Sequence, residues 1–325
     1  MEKRILITGA NGFAGKSIVQ KLISSGFNVS ALIMPGTSDA GLEGAAVYRL
    51  PLICSTELIS LLEKQNFVVN LAGVMAGANP ERYYQGNVAT VKEILQSLLK
   101  TKTPPYLIHV SSVAAIGPAP DGVLHDENAM CYPVGLYGKT KKAGENILLK
   151  HTGKLPFVII RPPSLYGPED RCFLDLFRWA AKGYFPRLIT RKKLFQILFI
   201  SDFSEIIRML ICNPPSEIVL NVGAPHVYSD EDMRRALELA SGNSLIPVFF
   251  PASVVKIVAG INAFLDAGFN IPLLLSFSKV KEMSHENWLQ DFSKFMRKSD
   301  KYKFISLNEG IVQTWKWYKD NLWIS

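Results

Sequence analysis

The sequence predicts an α/β fold: a doubly wound parallel sheet with a smaller, mostly C-terminal lobe. Short apolar runs rich in β-branched and aromatic residues alternate with helix-length amphipathic segments, the pattern of a sheet covered by helices on both faces. A glycine-rich turn stands at the first strand–helix junction. The expected strands are Ile5–Ile7, Val29–Ile33, Phe67–Leu71, Tyr106–Val110 and Phe157–Ile160. The expected helices are Ala14–Ser24, Glu57–Lys64, Pro80–Leu99 and Tyr137–Lys150. Beyond about Gly167 the alternation loosens, and strand candidates near Phe195–Ile200 and Ile218–Val222 are expected to return to the sheet. Residues 1–168 then form the first domain, its sheet completed by segments near 195–222, and 169–325 form mainly the second lobe.

Composition narrows the class. A chain of 325 residues, 48% of them hydrophobic, can bury a substantial core, which excludes disordered and fibrous proteins. Cys54, Cys131, Cys172 and Cys212 lie about 40 or more residues apart with no C-x-x-C pair, so reduced thiols and a cytoplasmic protein are expected, with neither a disulfide framework nor a zinc module. Neither Cys131 nor the five His residues form a triad or metal spacing, and no metal site is expected. The net charge of +8 comes from dispersed basic residues that thicken toward Lys294, Arg297, Lys298, Lys301, Lys303, Lys316 and Lys319. These are interleaved with Asp291, Asp300, Glu309 and Asp320 as on a solvated face, so no nucleic-acid partner is expected, although an anionic ligand fits the bias. The N-terminal residues leave no room for the apolar region of a secretory leader. The lipophilic stretch Val254–Phe277 is interrupted by Lys256, Asn262, Asp266, Asn270 and Pro272, and reads as a core helix and turn rather than a membrane span. Phe264, Phe269 and Leu273–Leu275 are open to two readings, a membrane-facing patch, which is the less expected, or the lining of an apolar substrate mouth.

The first strand runs into Thr8-Gly9-Ala10-Asn11-Gly12-Phe13-Ala14-Gly15, that is T-G-x-x-G-x-x-G opening directly into a helix. Glycines there let the backbone turn sharply and approach a pyrophosphate, and the helix N-terminus adds free N–H groups and the positive end of its dipole. A dinucleotide is the expected ligand. The second strand ends in Ile33-Met34-Pro35, with neither the acid that would bond an NAD ribose nor a cation for the NADP phosphate. Asp39 is nearby, as a ribose contact or a loop residue, and NAD and NADP both stay open.

Tyr137 and Lys141 stand four apart in a helical stretch, so the phenol and the ammonium share one face. A cation beside a phenol lowers its pKa toward the range in which it exchanges a proton with a substrate oxygen. The strand Tyr106–Val110 ends in Ser111-Ser112, where parallel sheets place their sites.

With these residues the chain resembles the extended short-chain dehydrogenase/reductase superfamily, the NAD(P)-dependent epimerases, dehydratases and reductases. The resemblance rests on Thr8–Gly15, Asn70-Leu71-Ala72-Gly73, Asn87 within Gly86–Thr90, Ser111–Gly117, Tyr137–Lys141 and Arg161–Pro168. Weaker matches follow at Phe199–Asp202, Ser306–Gly310 and Trp317-Tyr318, in the family's order and over essentially the whole chain. It implies a Rossmann-type sheet. It also implies Tyr137 as acid/base, Lys141 as the group that tunes it and holds the nicotinamide ribose, and Ser112 as the hydroxyl on the reacting oxygen. Gly9, Asn11, Gly12, Phe13, Ala14, Gly15, Leu71, Ala72, Gly73, Asn87, Pro162, Ser164 and Leu165, together with Tyr137 and Lys141, would contact the cofactor. Asn70, Asn87 and Arg161 are equally readable as turn or capping residues.

The chain departs from the family where dehydratases carry an Asp-Glu pair after the active-site hydroxyl. Val113 and Ala114 stand there and cannot move a proton, which disfavours a 4,6-dehydratase. Ile116 replaces a usual Tyr, and Pro51 stands where the third strand often leads into an adenine-binding Asp. Three readings follow, all for a small-molecule ligand. The breadth of the family favours a nucleotide-sugar epimerase or reductase, with Arg187, Arg191 or Lys192 meeting a diphosphate. The apolar Phe249–Phe277 segment and Trp315-x-Trp317-Tyr318 favour an enzyme like the 3β-hydroxysteroid dehydrogenases and dihydroflavonol reductases, acting on a more apolar alcohol or ketone. The third reading is a non-catalytic NAD(P) sensor or scaffold. Homodimers are common in the family, and one is compatible with this chain.

Overall fold

The computed structural model describes residues 3–75, 77, 79–188, 194–251, 282, 285, 287–299 and 302–324. The sequence-based expectations for Val254–Phe277, Arg191 and Lys192 lie outside the described residues.

In chain order the first half runs β1 (Arg4–Thr8), α1 (Phe13–Ser24), β2 (Asn28–Ile33), β3 (Ala46–Arg49), α2 (Thr56–Glu63), β4 (Phe67–Asn70), α3 (Pro80–Tyr84), α4 (Thr90–Leu99), β5 (Tyr106–Val110), α5 (Leu136–Leu149) and β6 (Phe157–Arg161). The second half runs β7 (Ser164–Tyr166), α6 (Leu174–Ala181), β8 (Tyr184–Leu188), β9 (Leu194–Phe195), β10 (Ile197–Phe199), α7 (Ile200–Cys212), β11 (Val219–Asn221), β12 (Tyr228–Ser229), α8 (Asp230–Ser241), β13 (Ile246–Phe250), β14 (Asn287–Trp288), α9 (Ser293–Met296) and α10 (Leu307–Asp320). The main sheet has seven parallel strands in the order β11-β6-β5-β4-β1-β2-β3.

Alternation along each buried strand assigns its side chains to the two faces. Ile5, Ile7, Val69, Ile108 and Val158 pack with Ile18 and Leu22 of α1 and Phe203 and Ile207 of α7. Leu6, Val68, Leu107 and Ile159 pack on the other face with Leu58 of α2 and Leu95 and Leu98 of α4. The chain leaves β1 toward β2 and β3, then crosses back to β4 and onward to β11. This reversal opens a crevice above Thr8 and Asn70, which pair in register at the C-terminal ends of β1 and β4.

One expectation is refined and one corrected. Pro80–Leu99 is helical throughout, but a π-helical turn, Gln85–Ala89, stands between α3 and α4. Its Asn87 bonds Val74 instead of solvent, and a Cβ at Gly86 would meet the Val74 side chain at 2.5 Å, so this turn is shaped by the loop it packs against. Of the two returning segments, β11 joins the sheet beside β6, whereas Phe195–Ile200 does not. Pro162 and Pro163 lack the N–H groups that would extend the β6 ladder. The chain resumes beyond them as β7, and β10 pairs with β7; β9 pairs with β12 and β14.

A second core gathers Tyr166, Phe177, Phe199, Met233, Leu237, Trp315 and Tyr318. Helix α10, opened by a Ser306–Glu309 capping box, crosses β7 so closely that a Cβ on Gly310 would lie 2.2 Å from the Tyr166 hydroxyl. Among the described residues no helix is long and apolar enough to cross a membrane.

Candidate active site

The turn between β1 and α1 is built by close backbone contacts. Gly9 adopts φ +65°, and the Gly12 N–H donates to its carbonyl at 3.1 Å. A Cβ on Gly15 would come within 2.4 Å of the Gly9 oxygen, so the helix can start this near the strand only with glycine there. Gly12 caps α1 without a side-chain hydrogen bond, leaving the helix end to the crevice. Phe13 and Ala14 form the first turn, half-buried, and the Asn11 amide donates to the Ser38 carbonyl at 3.1 Å. At the other end of the crevice Asp39 is paired with Arg49, whose guanidinium holds its carboxyl below the usual range.

Across the crevice, buried Asn70 shapes the loop after β4. Its Oδ1 accepts from the Thr8 hydroxyl at 2.7 Å and from the Ala72 N–H at 3.3 Å. Leu71 and Ala72 are half-buried and Gly73 exposed. Asn87 fixes the next residue, with its Oδ1 accepting from the Val74 N–H and its Nδ2 donating to the Val74 carbonyl, both at 2.8 Å. A Cβ on Gly73 would reach 2.8 Å from Asn87 Oδ1 and 3.3 Å from Lys141 Nζ, which places the ammonium beside this loop.

The Ser112 Oγ caps a short 3₁₀ turn, Val113–Ala115, by accepting from the Ala114 N–H at 3.1 Å, and it also hydrogen-bonds the Tyr137 phenol. Helix α5 lies tight on that turn, since a Cβ on Gly138 would strike the Ala114 carbonyl at 2.1 Å. Lys141 is 5% exposed; its Nζ donates to the Val110 carbonyl at 2.9 Å and lies 6.0 Å from the centroid of the Tyr137 ring. Burial lowers its pKa to about 8, with Glu145 opposing the fall. Ser112, Tyr137 and Lys141 are therefore brought together. Pro162 joins them through its carbonyl, which accepts from the Val113 N–H at 3.0 Å, while Ser164 is exposed on β7 and Leu165 packs toward the main core.

One electrostatic expectation is corrected. Burial pushes the Tyr137 phenol well above 10, outweighing the hydrogen bond from Ser112. Glu282, Cys172 and Tyr83 raise it further. Lys141, turned to the Val110 carbonyl, does not reverse this.

Sequence reasoning missed Glu145. It is fully buried, and its Oε1 accepts from Ser111 Oγ at 2.6 Å and Arg161 Nε at 2.8 Å, while its Oε2 accepts from Arg161 Nη2 at 2.7 Å. Its position one helical turn after Lys141 was the available signal. The four cysteines are free, and among the described residues no group of His, Cys, Asp and Glu could hold a metal ion.

The model of the NAD-dependent epimerase/dehydratase family matches residues 5–223, spanning the glycine turn, the Ser112–Tyr137–Lys141 set and β11. The chain belongs to this family. The chain is 28% identical over 168 residues to a dTDP-6-deoxy-L-talose 4-dehydrogenase of Kitasatospora kifunensis, a match covering 50% of this chain and about half (53%) of that protein. It is 23% identical over 330 residues to a ceramide reductase of Caulobacter vibrioides, covering 98% of this chain and 96% of the relative. Among solved structures, a UDP-glucuronic acid 4-epimerase from Bacillus cereus, in complex with UDP-glucuronic acid and NAD, superposes with a TM-score of 0.77 at 22% identity, over 98% and 99% of the two chains. The NDP-hexosamine 5,6-dehydratase TunA does so equally, at 0.77 and 21% over 98% of each chain. At such identities the likeness is one of fold, and the fold accommodates dehydratases as well as epimerases. The family's cofactor is NAD, and the glycine cradle and open helix end described above fit a dinucleotide.

Proposed function

We propose that the protein is an NAD-dependent oxidoreductase that interconverts a secondary alcohol and a ketone on a substrate with an apolar body. The contact of Ser112 with Tyr137, one helical turn from Lys141, carries this reading. Gly9–Gly15, the Leu71–Gly73 backbone and Pro162 to Leu165 would hold NAD, which when bound would supply the hydride acceptor or donor. Ser112 hydrogen-bonds the reacting substrate oxygen. Tyr137 exchanges the proton of that oxygen, donating it in ketone reduction and accepting it in alcohol oxidation. Lys141, charged below about pH 8, supports the transient phenolate.

The apolar substrate is supported by Arg187, the described cation that would otherwise meet a diphosphate. It is paired with Asp230 at 3.5 Å and lies 6.0 Å over the Phe249 ring. The match to a ceramide reductase over nearly the whole of both chains supports it too. A nucleotide-sugar substrate is the second reading, favoured by the talose dehydrogenase match over the N-terminal half.

NADH and NADPH oxidation, measured with long-chain ketones and with nucleotide 4-ketohexoses, separates the readings. Turnover of the alkyl ketones that falls by about 10²-fold or more in Tyr137→Phe is expected. Turnover of the sugars alone transfers the assignment to the second reading. Equal rates in Tyr137→Phe and wild type would remove the acid/base role.

A further inference from the structure

A buried carboxylate one turn behind the reactive pair links three separate segments of chain. Glu145 Oε1 accepts from Ser111, the neighbour of Ser112, and both Glu145 oxygens accept from Arg161, the neighbour of Pro162. Glu145 itself rides on α5 with Lys141 and Tyr137. We propose that Glu145 is a positioning residue for the reaction, holding the Ser112 turn and the Pro162 turn in register with α5 and setting its charge one helical turn from the Lys141 ammonium. The inference rests on the role given to Lys141 above.

The charges facing this cluster settle its sign. On α5, Glu145 is the anion near Lys141, and Lys142 approaches Glu145 Oε2 at 3.2 Å from the half-buried side. From β5, His109 faces Lys141 and is held neutral, its pKa lowered to about 3 by burial and by Lys141 itself. From β6, Arg161 is the second cation, itself supported by Cys131 and Glu127 of the segment before α5. Arg161, Ser111 and Lys142 together keep Glu145 ionised against its burial. Neutralising Glu145 would leave the buried Lys141 without the anion that opposes its desolvation, which favours loss of its proton.

Glu145→Gln keeps the size of the side chain and the acceptor for Ser111 but removes the charge. The test is a titration of ¹³Cε-labelled lysine by NMR on the protein without substrate, with the Lys141 signal assigned by its loss in Lys141→Arg. The expected result is a Lys141 midpoint about one unit lower in Glu145→Gln, with the alkaline limb of the rate profile moving down by the same amount. In Glu145→Asp, which retains the charge, the midpoint stays near that of wild type. Ser111→Ala, which removes an anchor and no charge, leaves the midpoint in place and lowers kcat. An unchanged midpoint in Glu145→Gln overturns the proposal. Should Glu145→Gln not fold, a fall of about one unit in Glu145→Asp or Ser111→Ala overturns it, because packing rather than charge would then set the ammonium. The titration needs no turnover, so a chain inactive on every substrate but showing the shift would fail the functional reading while leaving the link between Glu145 and Lys141 standing.

Discussion

Asn70 and His109 stand side by side on β4 and β5, with Nδ2 and Nδ1 3.1 Å apart beneath the crevice. Since Asn70 Oδ1 accepts from Thr8 and Ala72, its Nδ2 is the donor, and His109 is the neutral tautomer protonated on Nε2. The ring is buried, and its pKa falls from 6.5 to about 3. The unfolded chain takes up the proton first, so His109 contributes stability above pH 6.5 that is lost as the pH falls toward 3. His109→Gln is expected to remove about 2 kcal/mol of the acid-induced loss between neutral pH and about pH 4.5. Urea unfolding of both proteins across this range measures the difference, and parallel pH curves would contradict it.

Ser112 has two tasks, capping the Val113–Ala115 turn and bonding the phenol. Ser112→Ala is expected to reduce kcat by about 10²–10³-fold while destabilising the fold by only about 1 kcal/mol. Steady-state rates paired with thermal unfolding check this, and a large loss of stability with unchanged kcat in the folded fraction would assign the hydroxyl to structure alone.

Gly15 faces the Gly9 and Ala10 carbonyls at distances no Cβ tolerates. Gly15→Ala should force α1 away from β1, costing about 1–3 kcal/mol and weakening NADH binding about tenfold or more. Fluorescence titration with NADH gives the affinity. Retained affinity would place the dinucleotide elsewhere.

Gly310→Ala drives a methyl toward the Tyr166 hydroxyl, and the flanking Phe199 ring leaves no space for relief. A loss of about 1–3 kcal/mol is expected, read as a lower urea midpoint. Because Tyr166 ends the segment that begins at Pro162, KM for the cofactor should rise in the same variant.

The elements legible in the sequence were those whose signal is local. The strands from Ile5 to Ile160 announced themselves as apolar runs between turns, and Thr8–Gly15 needed only its glycines and its place before a helix. Tyr137 and Lys141 shared a helix face by spacing, and Ser112 followed a strand. What escaped depends on partners distant in sequence. The π-turn at Gln85–Ala89 is a shift in hydrogen-bond register that leaves the apolar pattern intact, and Asn87 makes sense only once Val74 is beside it. Phe195–Ile200 reads as a strand in either location, and the choice of β7 over the main sheet follows from where Pro162 and Pro163 end the ladder. Glu145 acquires its role only from Arg161 and Ser111, which lie on other elements and close over it. The phenol's basicity is a balance of burial against charge, which a spacing of four does not contain.

The junction of α10 with the loop after β7 ties together segments far apart in the sequence. The Tyr318 hydroxyl donates to the Asp170 carbonyl across 148 residues, and Gly310 seats on Tyr166. Contacts of such separation carry the larger loop-closure cost, and without α10 Phe177 and Tyr166 would lack the Trp315 and Tyr318 surfaces that cover them.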